Sequence, residues 1–195
     1  FLCTSASGAG ALLSGREINT RTQTDMGQTG SIAVAGNASI KTKGDFEQTG
    51  ATLSVGANLT ADIGGSLILG AVQRADTSQG AFQVTGASGS SSSTFAQNIT
   101  SSVRVGGNAQ IKTGQDFTSQ GANIALNTNK NTNSRGSSQI TSGGNINLLA
   151  VKDSYSTSSQ SAGSSGGFLS SSSFSASRQS FDESVRGSSL TANGS

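Results

Sequence analysis

Histidine, tryptophan and proline are absent from this chain of 195 residues, and cysteine occurs once. Each absence excludes something. Without His, and with Cys3 alone, there is no ligand set for a zinc finger, no disulfide framework and no His-based catalytic triad. Charge is sparse as well: 12 basic and 10 acidic residues leave a net +2, and charged residues make up 11% of the chain. The basic residues do not cluster and no aromatic residues interleave with them, which disfavours nucleic acid as a partner. So little charge also argues against charge-driven disorder. No apolar run is long enough to span a membrane as a helix or to form a signal peptide. A chain that opens at Phe1 reads as a piece of a longer protein.

Small residues fill the space. Ser (38) and Thr (20) account for 58 positions and Gly for 27 more, whereas aromatics are 5%. Self-comparison organises them. Residues 31–51, SIAVAGNASIKTKGDFEQTGA, match residues 102–122, SVRVGGNAQIKTGQDFTSQGA, at 12 of 21 positions and a constant offset of 71. GGSLILGAV (Gly64 to Val72) then matches GGNINLLAV (Gly143 to Val151) at an offset of 79, the extra eight residues falling in NTNKNTNSRG. SLTANGS at Ser189 to Ser195 opens the pattern a third time. The expected organisation is one solenoid fragment: the end of a unit over 1–30, units over 31–101 and 102–188, and the start of another over 189–195.

A shorter period runs inside each unit. Gly36 and Gly56, Ile40 and Leu59, Asp45 and Ser66, and Gly50 and Gly70 lie 20, 19, 21 and 20 residues apart. Between these points apolar and polar residues alternate in short stretches such as Ile32-Ala33-Val34, Leu53-Ser54-Val55 and Ile124-Ala125-Leu126. Alternation over three to five residues, punctuated by Gly and Asn, predicts short half-buried strands and tight turns. Strands recurring every ~20 residues predict an all-β fold, a parallel β-helix or solenoid whose coils stack about 4.8 Å apart. Stacked coils also account for the missing proline, which cannot donate to a neighbouring strand. Phe46 and Phe117 are the expected bulky interior residues at one level, and Lys112 is expected to face outward. Removing two Ser-rich excursions, near 73–100 and 152–187, leaves enough chain for six to seven coils. The excursions carry most of the aromatics, including Phe82, Phe95, Tyr155, Phe168, Phe174 and Phe181. They read as extruded β-hairpins, with Phe82 and Val84 on one face and Phe168 and Phe174 sharing another.

The order Gly-Asn, KTGQDF, GAN, GGNINLLAVKDS and then a Ser-rich excursion resembles the haemagglutinin repeats of large two-partner-secreted bacterial exoproteins, such as filamentous haemagglutinins and the stalks of contact-dependent growth inhibition toxins. The resemblance covers essentially the whole chain. It implies a right-handed solenoid and a non-catalytic, secreted or cell-surface segment that acts as a rod or spacer in adhesion or toxin delivery. Through the parent protein it implies a cell-surface receptor, an outer membrane or another bacterial cell as partner. No cofactor and no small-molecule substrate are implied.

Two other readings need residues of their own. A polysaccharide-active enzyme on a β-helix needs acids converging on one groove. Asp45 is copied at Asp116 and Lys41 at Lys112, which favours a turn role over a unique site. Asp62, Asp76, Asp153 and the pair Asp182-Glu183 have no evident partners in the sequence. No SxxK or GxSxG element, calcium repeat or phosphate loop occurs. An ice- or crystal-binding face needs a regular Thr array, and Thr20-Arg21-Thr22-Gln23-Thr24 occurs once. Lys43-Gly44-Asp45, which resembles an integrin-type tripeptide, is replaced by Gly114-Gln115-Asp116 in the second unit. The four NxS/T sequons, at Asn37, Asn58, Asn98 and Asn193, are expected at this Ser/Thr content. Catalytic, cofactor and metal residues are therefore assigned to none, and the receptor contact is left open.

Overall fold

The computed structural model describes residues 16–23, 29–129, 137–167 and 170–193, and their regular structure is strand only. β1 (Arg16–Gln23) precedes β2 (Ser31–Val34), β3 (Ala38–Thr42) and β4 (Phe46–Thr49), which are followed by β5 (Thr52–Val55), β6 (Leu59–Ile63) and the long β7 (Leu67–Val84). After β8 (Ala87–Thr100) come β9 (Ser102–Val105), β10 (Ala109–Thr113), β11 (Phe117–Gln120), β12 (Asn123–Leu126), β13 (Gln139–Ser142) and β14 (Ile146–Leu149). Then follow β15 (Val151–Gly166), β16 (Ser171–Arg186) and β17 (Ser189–Ala192). The chain divides into two compact units, one of residues 26–73, 98–152 and 185–195, the other of residues 1–25, 74–97 and 153–184.

The first unit is a parallel β-helix with three strands per coil. Its three parallel ladders run β2-β5-β9-β12-β17, β3-β6-β10-β13, and β4 and β11 on either side of the start of β7, with β14 beyond β11. Four coils and the first strand of a fifth are present among the described residues. The coils are a little longer than expected, and Arg16–Gln23 forms no coil strand. The coil step is 21 residues throughout the first two coils: Ile32 opposes Leu53, Ala38 opposes Leu59 and Phe46 opposes Leu67. The pairs Ile40/Leu59 and Gly50/Gly70 are thereby corrected, because Ile40 opposes Ala61, and Gly70 opposes Thr49. A ladder accepts only one register where one side is buried, since a slip of one residue turns every inward side chain outward. Gln139 lies 29 residues beyond its partner Gln110, so the eight extra residues fall between β12 and β13.

Alternation places the core. Leu59, Ala61 and Ile63 point inward while Thr60 and Asp62 point out; Ala109, Ile111 and Thr113 repeat this around Gln110 and Lys112. Phe117 is fully buried, held in register between Leu67 and Ile146, and Phe46, in the first described coil, packs half-buried against the same core. The remaining interior space is about 20 Å³, lined by apolar residues including Leu59, Leu69 and Phe117. That is about the room of a single water, and the one polar residue in its lining, Gln48, donates its amide to the Ala51 and Ser102 carbonyls. At one corner Gly64, Gly114 and Gly143 stack in a column. A Cβ on Gly114 would run into the Gly64 carbonyl, and one on Gly143 into the Gly114 carbonyl. Gly50 (φ 60) and Gly121 (φ 62), equivalent in the two repeats, take the left-handed backbone that the last corner requires.

The second unit is an antiparallel sheet in the order β1-β7-β8-β15-β16, to which β7 contributes its later part. Thr85-Gly86 closes the β7–β8 hairpin, with Gly86 at φ 78. The registers run from Gln23↔Asp76 to Arg16↔Gln83 and from Ser154↔Ala96 to Gly163↔Ala87. Here Ser-rich chain is held by its backbone ladder, because alternating small side chains leave the main chain free to pair.

Candidate functional site

The sequence-selected acids sit at coil corners and face the next coil. Asp45 Oδ1 accepts the Ser66 N–H at 2.7 Å, and Asp116 Oδ1 accepts the Asn145 N–H at 2.7 Å. Asn37 and Asn58 do the same one corner away, accepting from Asn58 N at 3.0 Å and from Asn108 N at 2.8 Å. Each carboxylate or amide oxygen thus satisfies a backbone donor that a corner would otherwise leave open. Lys43-Gly44-Asp45 is part of this corner. Lys41 and Lys112 both face solvent, and Lys41 Nζ reaches Asp62 at 4.0 Å, an exposed pair of little energetic weight.

Of the acids without evident partners in the sequence, the fold sets out partners for two. One is Asp62, beside Lys41. The other is Asp76, which accepts hydrogen bonds from the Arg21 guanidinium across the β1–β7 pair. The Arg21 hydrogen bond, helped by its positive charge, holds the Asp76 carboxyl below its ordinary range. These residues are 55 apart, and no local spacing signals the contact. Asp182 and Glu183 are exposed on β16. Cys3, Thr24, Phe168 and Leu169 lie outside the described residues.

Sequence reasoning missed a pair of serines where the chain re-enters the coils. Ser101 is fully buried, with Oγ 2.7 Å from the Gln48 carbonyl and 2.8 Å from the Gly70 carbonyl. Ser188 is its counterpart, with Oγ 2.9 Å from the Ser119 carbonyl and 2.7 Å from the Leu149 carbonyl. Gln48, itself buried, donates through Nε2 to the Ala51 carbonyl at 2.7 Å and the Ser102 carbonyl at 3.1 Å. The signal was present: SSVRV and SSLTA each place Ser-Ser at the head of a coil strand.

The hairpin sheet has an aromatic face. Phe95 opposes Tyr155 directly, and both are partly exposed. Gly89 lies six residues from Phe95 and carries the Phe82 ring, with Cζ 2.8 Å from where a Cβ would stand. Gly163, eight residues from Tyr155, carries the Phe174 ring in the same way. Even spacing puts all four aromatics on one side, with Val84 two residues from Phe82 as expected. Phe181, seven residues from Phe174, lies on the other. That second side has a shallow depression of about 670 Å³, whose lining includes Ile18, Ala81, Ser90, Gln160, Ala162 and Ser177. Its polar groups are hydroxyls and amides, and none lies beside an acid or base among its lining residues that could move a proton. Among the described residues no three His, Cys, Asp or Glu side chains come together as a metal site.

Residues 3–84 match the family described as Hemagglutinin repeat. The chain is also 37% identical over 109 residues to a tRNA nuclease CdiA of Burkholderia pseudomallei, an overlap of 56% of this chain and 8% of that protein. The tRNA nuclease CdiA-2 of Burkholderia pseudomallei strain 1026b shows 37% identity over 109 residues, covering 56% of this chain and 3% of that protein. The Toxin CdiA of Yersinia pestis is 36% identical over 87 residues, 45% of this chain and 2% of that protein. The chain therefore spans less than a tenth of the length of these relatives. No solved structure matches it significantly. With a coil repeat, a recurring serine re-entry and hairpins at equivalent positions, the chain carries a match to the haemagglutinin repeat over residues 3–84 and is similar to a short segment of the CdiA proteins.

Proposed function

We propose that this segment is a non-catalytic spacer with a surface-binding sheet, carried by a secreted bacterial adhesin or contact-dependent toxin-delivery exoprotein. The observation that carries the reading is the use of the repeated acids: Asp45 and Asp116 hold backbone N–H groups of the next coil, so their chemistry is structural. The coils supply stiffness through parallel ladders. The hairpin sheet supplies partly exposed aromatics, Phe82, Phe95, Tyr155 and Phe174, which are the groups a partner surface would cover. The parent protein acts at the bacterial cell surface, and its partner is a receptor or outer membrane of another cell. The relatives named as CdiA toxins favour delivery over adhesion alone.

The test is deletion of residues 153–182 in the full parent protein. The coils keep their own core, so their thermal transition stays nearly unchanged, while attachment or delivery to target cells falls. Loss of folding would make the hairpin part of the core. Folding and activity that both survive would move the binding surface to the coils or to another part of the parent.

A further inference from the structure

The hairpin strands follow a rule of pairing. Each return strand precedes a coil: β1 ends before β2, β8 before β9, and β16 before β17. Each of the first two return strands also pairs with an outgoing strand of the next hairpin, β1 antiparallel with β7 and β8 antiparallel with β15. β16 is the third return strand, and among the described residues β15 is its one strand neighbour. All sixteen of its residues are exposed.

The phase of its free side is fixed. Gly167 N donates to the Ser170 carbonyl at 2.7 Å, and Ser165 and Ser172 face each other with Oγ atoms 2.8 Å apart. Even-numbered residues of β16 therefore pair with β15, and the N–H and C=O groups of odd-numbered residues point away from it. Edge strands are ordinarily blunted by charge, proline or a bulge. The first seven residues of β16, SSSFSAS, contain no charge and no proline. That edge is left able to pair.

We propose that β16 is a docking edge for the outgoing hairpin strand of an adjoining haemagglutinin repeat, the repeat whose first coil strand is β17. The occupant is a Ser/Gly-rich antiparallel strand like β15. β17 already pairs with β12 as β9 pairs with β5, so the coil ladder continues into a further repeat, whose outgoing strand is the counterpart of β15. The hairpins thus form one sheet that grows by two strands per repeat. This goes beyond the spacer reading and does not depend on it.

The test is a tandem chain, residues 1–188 continued by a second copy of 102–188, so that Ser102 takes the place of Ser189. In the 195-residue chain the amides of Ser173, Ser175, Ser177 and Gln179 exchange with solvent much faster than those of Phe174 and Ala176. In the tandem chain the odd-numbered amides of the first copy slow by roughly tenfold or more. Ser177→Pro in that copy removes one outward N–H, leaves the β15 pairing intact, and restores fast exchange to its odd-numbered neighbours. The same amides measured in the secreted parent protein give a second reading should the tandem chain fold poorly. Equal exchange of odd-numbered amides in single, tandem and parent chains would overturn the proposal. So would slow exchange in the single chain that strengthens with concentration, because the edge would then serve a second copy.

Discussion

Replacing Phe117 with alanine tests the coil register most sharply, because the chain holds its own control in Phe46. Both are phenylalanines at the same corner of successive repeats. Phe117 is fully buried between Leu67 and Ile146, whereas Phe46 is half-buried with Leu67 on one side. Losing the buried ring costs about 2 kcal/mol in transfer from water. With limited collapse, an unfilled volume of roughly 70 Å³ at about 24 cal/mol per Å³ adds nearly as much. Phe117→Ala should therefore cost about 4 kcal/mol, and Phe46→Ala about half of that, since much of its ring already meets solvent. Fluorescence cannot follow the coils, because the chain lacks Trp and its single Tyr lies in the hairpin sheet. Amide exchange at Ile111 and Ile124, read across a urea series, reports them directly. A larger loss from Phe46→Ala than from Phe117→Ala would refute the burial argument.

Lys112→Ala removes an outward side chain and should change coil stability by less than about 0.5 kcal/mol in the same urea series. Ser101→Ala strips a donor from the Gln48 and Gly70 carbonyls and should cost about 1–3 kcal/mol. The lower half of that range is expected, because the Gly70 carbonyl also accepts from Gly50 N at 3.2 Å. Gly114→Ala forces a Cβ into the Gly64 carbonyl, and its melting temperature should fall further than that of Gly44→Ala, where nothing lies within 4 Å. For Asp76 the folded-state pKa is lowered, so its contribution is complete above the ordinary value of 3.8 and is lost as pH falls through the lower folded value. Amides of β1 should accordingly exchange faster in acid below that window, and Asp76→Asn should flatten this dependence.

Much of the fold was legible because parallel stacking repeats its demands. A coil that must match its neighbour needs the same apolar positions, the same corner glycines and the same corner Asx residues, so Asn37, Asp45 and Phe46 recur at Asn108, Asp116 and Phe117. Self-comparison finds such copies. The step length was less legible: Ile40 and Leu59 are similar residues one strand apart in phase, and only the ladder shows that Ile40 stacks on Ala61. The acids divide the same way. Asp45 could be read as a turn residue from its copy, whereas the Arg21–Asp76 contact unites strands 55 residues apart.

The sequence by itself determined that the chain is a strand-built solenoid, through apolar alternation, repeated corners and the absence of proline. Tertiary structure alone decided where β1 goes, which serines are buried and which edge is open. Ser101 and Ser91 are the same residue type in the same Ser-rich region, yet one is sealed against two carbonyls and the other faces solvent. A side chain of that size carries too little hydrophobic preference to choose its own environment, so the ladder to which its backbone pairs chooses for it.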